Sequence, residues 1–158
     1  MATAFNIPNE IELKSYLMML FDGAGIGPGK VVDGKTPGAI IGAFIDDNDV
    51  PVAACVCDIE FAAFSGCSLT MLPPGAAEDA VKDKKLEPMM HDNFNEVMNI
   101  FTRLFMNDKT PHLRLEKCYS VADAPEAFVN IANVTDDRSN MEIDIPRYGK
   151  GNVSFVAI

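Results

Sequence analysis

Two nearly unbroken apolar runs, residues 39–45 and 50–57, constrain this chain more than any other feature. Each is short and bounded by turn-forming residues, and neither shows the polar alternation of a strand with one wet face. They therefore predict two buried strands. Asp46, Asp47, Asn48 and Asp49 separate them and predict a solvated turn. The tetrad has the look of a calcium loop, but it lacks the glycine and the distal glutamate of an EF-hand, so a hairpin tip is the better reading.

The flanking sequence supplies covering helices and further strands. Asn9 followed by Glu12 has the form of a capping box, and Leu13, Tyr16, Leu17, Leu20 and Phe21 recur at helical spacing, predicting a helix over 9–22. Residues 23–38 (GAGIGPGKVVDGKTPG) are rich in glycine but match neither dinucleotide nor phosphate-loop spacing. They also follow a helix where both motifs need a strand, which predicts a helix stop and a loop. Residues 59–72 suit a strand through Phe61 and Phe64 and a helix through their length and their Ala and Met content; we read a helix. Pro73, Pro74 and Gly75 break the chain before a short charged helix at 76–85, and Glu87 with Pro88 opens a longer one reaching about 106. A strand at 112–121 and a short helix at 124–132, with Pro125 at its start, follow. A closing hairpin places Met141, Ile143 and Ile145 on one face of 141–146 and continues at 153–158 through a turn at 148–151. No repeat or long linker divides residues 1–158, so the expectation is one α/β (α+β) domain, a two-layer arrangement with a mainly antiparallel sheet packed against helices.

Composition excludes several classes of function. Of 158 residues, 13 are basic and 23 acidic, a net charge of −10 that repels phosphate backbones and anionic lipid heads, so neither nucleic acid nor membrane is an expected partner. No apolar run approaches the roughly 18 residues of a membrane span. Residues 16–21 are too short, and too closely preceded by Glu10 and Glu12, for a signal peptide, which makes the cytoplasm the expected location. Cys55, Cys57, Cys67 and Cys118 form no Cys-x-x-Cys pair and read as buried free thiols, with no metal site. His91 and His112 are solitary, with no recognisable nucleophile beside them.

Residues 88–106 carry the informative pattern. Wound as a helix, they gather Met90, Phe94, Val97, Met98, Phe101, Leu104 and Phe105 into one apolar sector, while Asp92, Glu96, Asn99 and Arg103 fall in a narrow row almost opposite. Side chains three or four residues apart are neighbours on a helix, so Glu96 and Asn99 present a carboxylate and a carboxamide side by side. A solvated outer face would show polar residues too, and Asp92 near the helix start is favourable on that ground alone.

The Asp-x-x-x-Glu-x-x-Asn pattern, in this position along the chain, resembles the CheC/CheX/FliY family of chemotaxis phosphatases. In that family a helical Asp or Ser, then Glu, then Asn forms the active-site motif. Asp92, Glu96 and Asn99 match it, and Pro125 matches a later proline. With one such motif and not two, and with a similar order of helices, strand pair and final hairpin, the chain is most similar to the single-motif CheX type. The resemblance implies hydrolysis of phosphoaspartate on a CheY-like response-regulator receiver domain. Asn99 would orient water, Glu96 would pair with the receiver's lysine, and Asp92 would bound the docking surface together with Arg103. The magnesium ion would be supplied by the receiver, with no cofactor bound by this chain. Two features depart from the family: Thr102, Arg103 and Leu104 stand where a small residue is common, and the spacing from Asn99 to Pro125 is slightly longer. They point to the alternative, a non-catalytic interaction module in two-component signalling, with a homodimer joined along sheet edges.

Overall fold

The computed structural model describes residues 4–158. Helix α1 spans Glu10–Leu20 and is capped as its sequence predicts: Asn9 Oδ1 accepts from the Glu12 N–H at 2.8 Å, and Glu12 Oε1 accepts from the Asn9 N–H at 3.2 Å. Strands β1 (Gly25–Pro28), β2 (Ile40–Asp46) and β3 (Pro51–Cys57) follow. Helices α2 (Ile59–Ser68), α3 (Pro74–Asp83) and α4 (Pro88–Phe101) come next, and a 3-10 turn at Thr102–Phe105 extends the last of them. Strand β4 (Leu113–Ser120), helix α5 (Glu126–Ala132), and strands β5 (Ser139–Ile145) and β6 (Gly149–Ala157) complete the chain. All pairings in the six-stranded sheet are antiparallel, in the order β1-β5-β6-β3-β2-β4.

The apolar character of β2 and β3 follows from this order. Ile40, Phe44, Cys55 and Cys57 enter the core beneath α1, α2 and α4, whereas Ile41, Ala43, Ala54 and Val56 pack on the opposite face against Phe128, Ile131 and Ala132 of α5. Both faces are dry, which is why neither strand alternates. The acidic turn between them is a hairpin tip, where Asp46 Oδ1 accepts from the N–H groups of Asn48 and Val50 at 2.8 and 3.0 Å. Asp47 pairs with His112 Nδ1 at 2.8 Å and Asp49 with the Arg114 guanidinium, so two of its carboxylates meet nitrogen-bearing side chains from the β4 side of the sheet.

Four boundaries differ from expectation, each for a tertiary reason. The loop at 23–38 contains β1, a four-residue edge strand pairing Gly25–Pro28 with Asp144–Met141. Its glycines and proline carry no strand signal, and Pro28 is tolerated because an edge needs fewer donors. Helix α2 stops at Ser68, not 72, where the chain turns and Met71 takes a positive φ of 54°. The closing hairpin turns earlier, with Ile145 opposite Gly149, so β6 begins four residues ahead of the expected 153. Gly151 is required there, since a Cβ would lie 2.3 Å from the Phe61 nitrogen where α2 crosses β6. Finally, the long helix does not run to 106: it ends at Phe101, and the tighter 3-10 winding buries Leu104 and Phe105 together.

Candidate functional site

Helix α4 starts on Pro88, whose missing N–H costs nothing in a first turn. Its buried face is Met90, Phe94, Val97, Met98 and Phe101. Two glycines let it seat closely. A Cβ on Gly66 of α2 would come within 2.7 Å of the Met90 carbonyl oxygen, and one on Gly42 of β2 within 2.8 Å of the Met98 sulfur. Asn93 locks the α2 side, its Nδ2 donating to the Gly66 carbonyl at 2.8 Å and to Thr70 Oγ1 at 2.9 Å. Below, Phe101 and Phe105 pack against Phe155, with ring centroids 5.8 and 5.7 Å apart, and Phe44 meets Phe105 at 5.1 Å. The helix is thus held along its length by close backbone approach, hydrogen bonds and aromatic contacts.

On this rod Asp92, Glu96 and Asn99 are all exposed, in one row opposite the core. Arg103 is exposed too, but it stands on the 3-10 turn beyond the α-helix, so the helical angle predicted for it does not apply. Among the described residues none of these four side chains has a hydrogen-bond or ion-pair partner, a free state for a carboxylate, a carboxamide and a guanidinium that are each able to bind something. Pro125 is not brought to the row: it opens α5, on the opposite face of the sheet. His91 is half buried beside the row and His112 is bonded to Asp47, so neither joins it.

Glu96 and Asn99 stand on the exposed face of α4, whereas Asp92, with His91, borders a hollow of about 570 Å³ at the start of that helix. A groove of about 660 Å³ lies between β4 and the segment joining α3 to α4, and it is lined by His91, Lys84 and Leu86 but by neither Glu96 nor Asn99. The cysteines take no part. All four are buried and form no disulfide, with the Cys55 and Cys57 thiols hydrogen-bonded at 3.8 Å, and burial pushes the Cys118 thiol up to about 12 and raises Cys57 and Cys67 as well. Sequence reasoning passed over Asn93, Gly42 and Gly66, because a lone amide or glycine within an apolar stretch carries no signal until the packing partner is known.

No family model and no curated protein matches the sequence. Among solved structures, a chain of the CheX–CheY–BeF3–Mg2+ complex from Borrelia burgdorferi matches with a TM-score of 0.56 and 15% identity, covering 92% of this chain and 92% of that one. The chain has a CheX-like fold. The correspondence extends over nearly the whole length, so helices, antiparallel sheet and final hairpin belong to the CheX-like arrangement together and not as isolated pieces. No helix among the described residues is long and apolar enough to cross a membrane.

Proposed function

We propose that this chain accelerates hydrolysis of the phosphoaspartyl group on a CheY-like receiver domain, with Asn99 and Glu96 as the working pair. One observation carries the reading: a carboxylate and a carboxamide stand one turn apart, exposed and unpartnered, on a helix whose other face is locked into the core. Such a rod can enter another protein's pocket without rearranging, which keeps the entropic cost of docking low. A CheX-like fold found in a complex with CheY supports the choice of partner.

The chemistry asked of the chain is small. An acyl phosphate is already activated, and the transition state of phosphoryl transfer is loose, so placing water in line matters more than a strong base. The Asn99 carboxamide can accept from a water proton through Oδ1 and donate through Nδ2, holding the water's lone pair toward phosphorus. Glu96 pairs with the receiver's lysine in a charge-assisted hydrogen bond and holds the two proteins in register. Asp92 and Arg103 border the contact. The receiver supplies its own magnesium ion, which neutralises charge on the phosphoryl oxygens, and this chain binds no cofactor.

Asn99→Ala is expected to return receiver dephosphorylation to the receiver's own rate while leaving the fold intact, since the side chain is exposed and unbonded. Phosphate release from an acetyl-phosphate-treated receiver, with and without the variant, is the measurement, and undiminished acceleration by the variant removes the assignment. The second reading, a non-catalytic module that recruits a receiver or a second copy, is favoured by Arg103, a bulky free cation bordering the row. Binding of a phosphorylated receiver without faster phosphate release would select it.

A further inference from the structure

Strand β4 closes one edge of the sheet: it pairs with β2 on one side, and among the described residues no strand lies on the other. Beyond the register shift between Ala43 and Phe44, residues 117–120 pair regularly with residues 43–40. The groove of about 660 Å³ touches all four of these β4 residues. Successive strand residues point to opposite faces, so a hollow that reaches every one of them runs along the edge itself and not over one face. On the helix side Cys118 enters the core, and Lys84, Lys85 and Leu86, from the segment joining α3 to α4, form the facing wall. The Lys84 stem packs over Gly38, where an added Cβ would meet it at 3.2 Å, which seats that lysine at the groove. On the other side Tyr119 stacks on Phe128 with ring centroids 6.2 Å apart, and the Lys117 ammonium lies 5.3 Å from the Tyr119 ring. Lysines therefore flank the free edge from both faces of the sheet.

We infer that this edge takes an extended acidic segment of a partner protein, added as one more strand on β4 with its carboxylates between Lys117 on one face and Lys84 and Lys85 on the other. The backbone supplies the first argument. Every second residue of 117–120 turns its N–H and C=O away from β2, and an added chain satisfies them. Charge chooses the occupant. The chain carries −10, yet three of its 13 Lys and Arg residues line this one groove beside half-buried His91. Asp83 and Asp123 border it too, but Asp123 already accepts from Ser120 Oγ at 3.0 Å. A lysine on an edge strand serves by itself to discourage pairing, which would account for Lys117. It does not account for Lys84 and Lys85, which come from another element and converge on the same hollow. A second copy fits less well, because two-fold pairing of β4 with itself brings each set of lysines against its own image.

The test uses the full chain and short fluorescein-labelled peptides in which valine alternates with glutamate or with glutamine, read by fluorescence anisotropy. The glutamate peptide is expected to bind saturably and to weaken as salt is added, and the glutamine peptide to bind about tenfold more weakly. Lys84→Gln, Lys85→Gln and Lys117→Gln together, all at exposed positions, should cost the glutamate peptide about tenfold in affinity at unchanged Tm. Strand pairing is tested in the peptide, where no folding defect can intervene: N-methylation of one alternate set of residues should abolish binding, and N-methylation of the other set should leave it largely intact. No saturable binding of the glutamate peptide, equal binding of the glutamine peptide, or equal affinity of the two N-methylated forms overturns the inference. A dimer that the glutamate peptide neither binds nor dissociates gives the edge to a second copy and overturns it as well. Peptide binding uses neither Glu96 nor Asn99, so this inference and the phosphatase reading can each fail without the other.

Discussion

Glu96 is exposed and, among the described residues, has no ion-pair partner, so its charge is free to meet something outside the molecule. Removing it costs the fold nothing that the structure can detect and costs the proposed complex an ion pair. Glu96→Ala is expected to raise the KM for phosphorylated receiver by ten- to a hundredfold, the range of a charge-assisted bond lost at an interface, with a smaller effect on kcat than Asn99→Ala. Titrating initial phosphate-release rates against receiver concentration separates the two. A Glu96→Ala protein with the original KM would leave the carboxylate without a role. The same residue-scale reasoning assigns Asp58 to structure. It caps α2 through the Phe61 N–H at 2.8 Å and accepts from both Asn152 donors, and burial raises its pKa against the lowering effect of those bonds. Both residues are acidic and both lie at the start of or along a helix, and only their surroundings separate an anchor for a partner from an anchor for the fold.

Helix α4 is the element on which the site depends, and its placement is set by absent side chains as much as by present ones. At Gly66 an added methyl would press on the Met90 backbone, which cannot move without moving the helix, whereas at Gly42 it would meet the flexible end of Met98. Gly66→Ala is therefore expected to destabilise the fold by about 1–3 kcal/mol and Gly42→Ala by less. For a chain of this size the first corresponds to a fall in Tm of several degrees, measurable by circular dichroism. Gly66→Ala should also lower kcat, since a helix displaced by a fraction of an ångström no longer brings the carboxamide in line. Equal Tm values for the two variants would show that α2 and α4 do not meet as closely as described. The 3-10 turn after Phe101 works at this scale too. It departs from the helical periodicity that places Arg103 in the row, because burying Leu104 and Phe105 against Phe155 and its neighbours outweighs one more turn of regular helix.

Across the whole molecule, alkaline pH should be the vulnerable side. Burial raises the Cys118 thiol from its usual 9.0 to about 12 and moves Cys57 and Cys67 the same way, so the folded chain keeps protons that the unfolded chain releases from about pH 9. Stability from these neutral thiols is complete below pH 9 and is lost as pH rises toward 12. For Cys118 alone, three pH units amount to about 4 kcal/mol. Denaturant midpoints at pH 7, 9 and 10.5 should fall, and the fall should be shallower in Cys118→Ala; parallel pH profiles would refute the linkage. Much of this architecture was legible beforehand, and for particular reasons. The capping box at Asn9, the dry strands at 40–46 and 51–57 and the polar row at Asp92, Glu96 and Asn99 are local patterns, written in spacings of two, three and four residues that the backbone geometry must obey. What lay outside that reach is everything set by contact between distant segments. The edge pairing of Gly25–Pro28 with β5, the strand order, the early end of α4, and the placement of Pro125 on the far face depend on which surfaces meet. Sequence determined which side chains share a face; only the packed structure decided which faces adjoin, because adjacency depends on the volumes that fit together and not on any period along the chain.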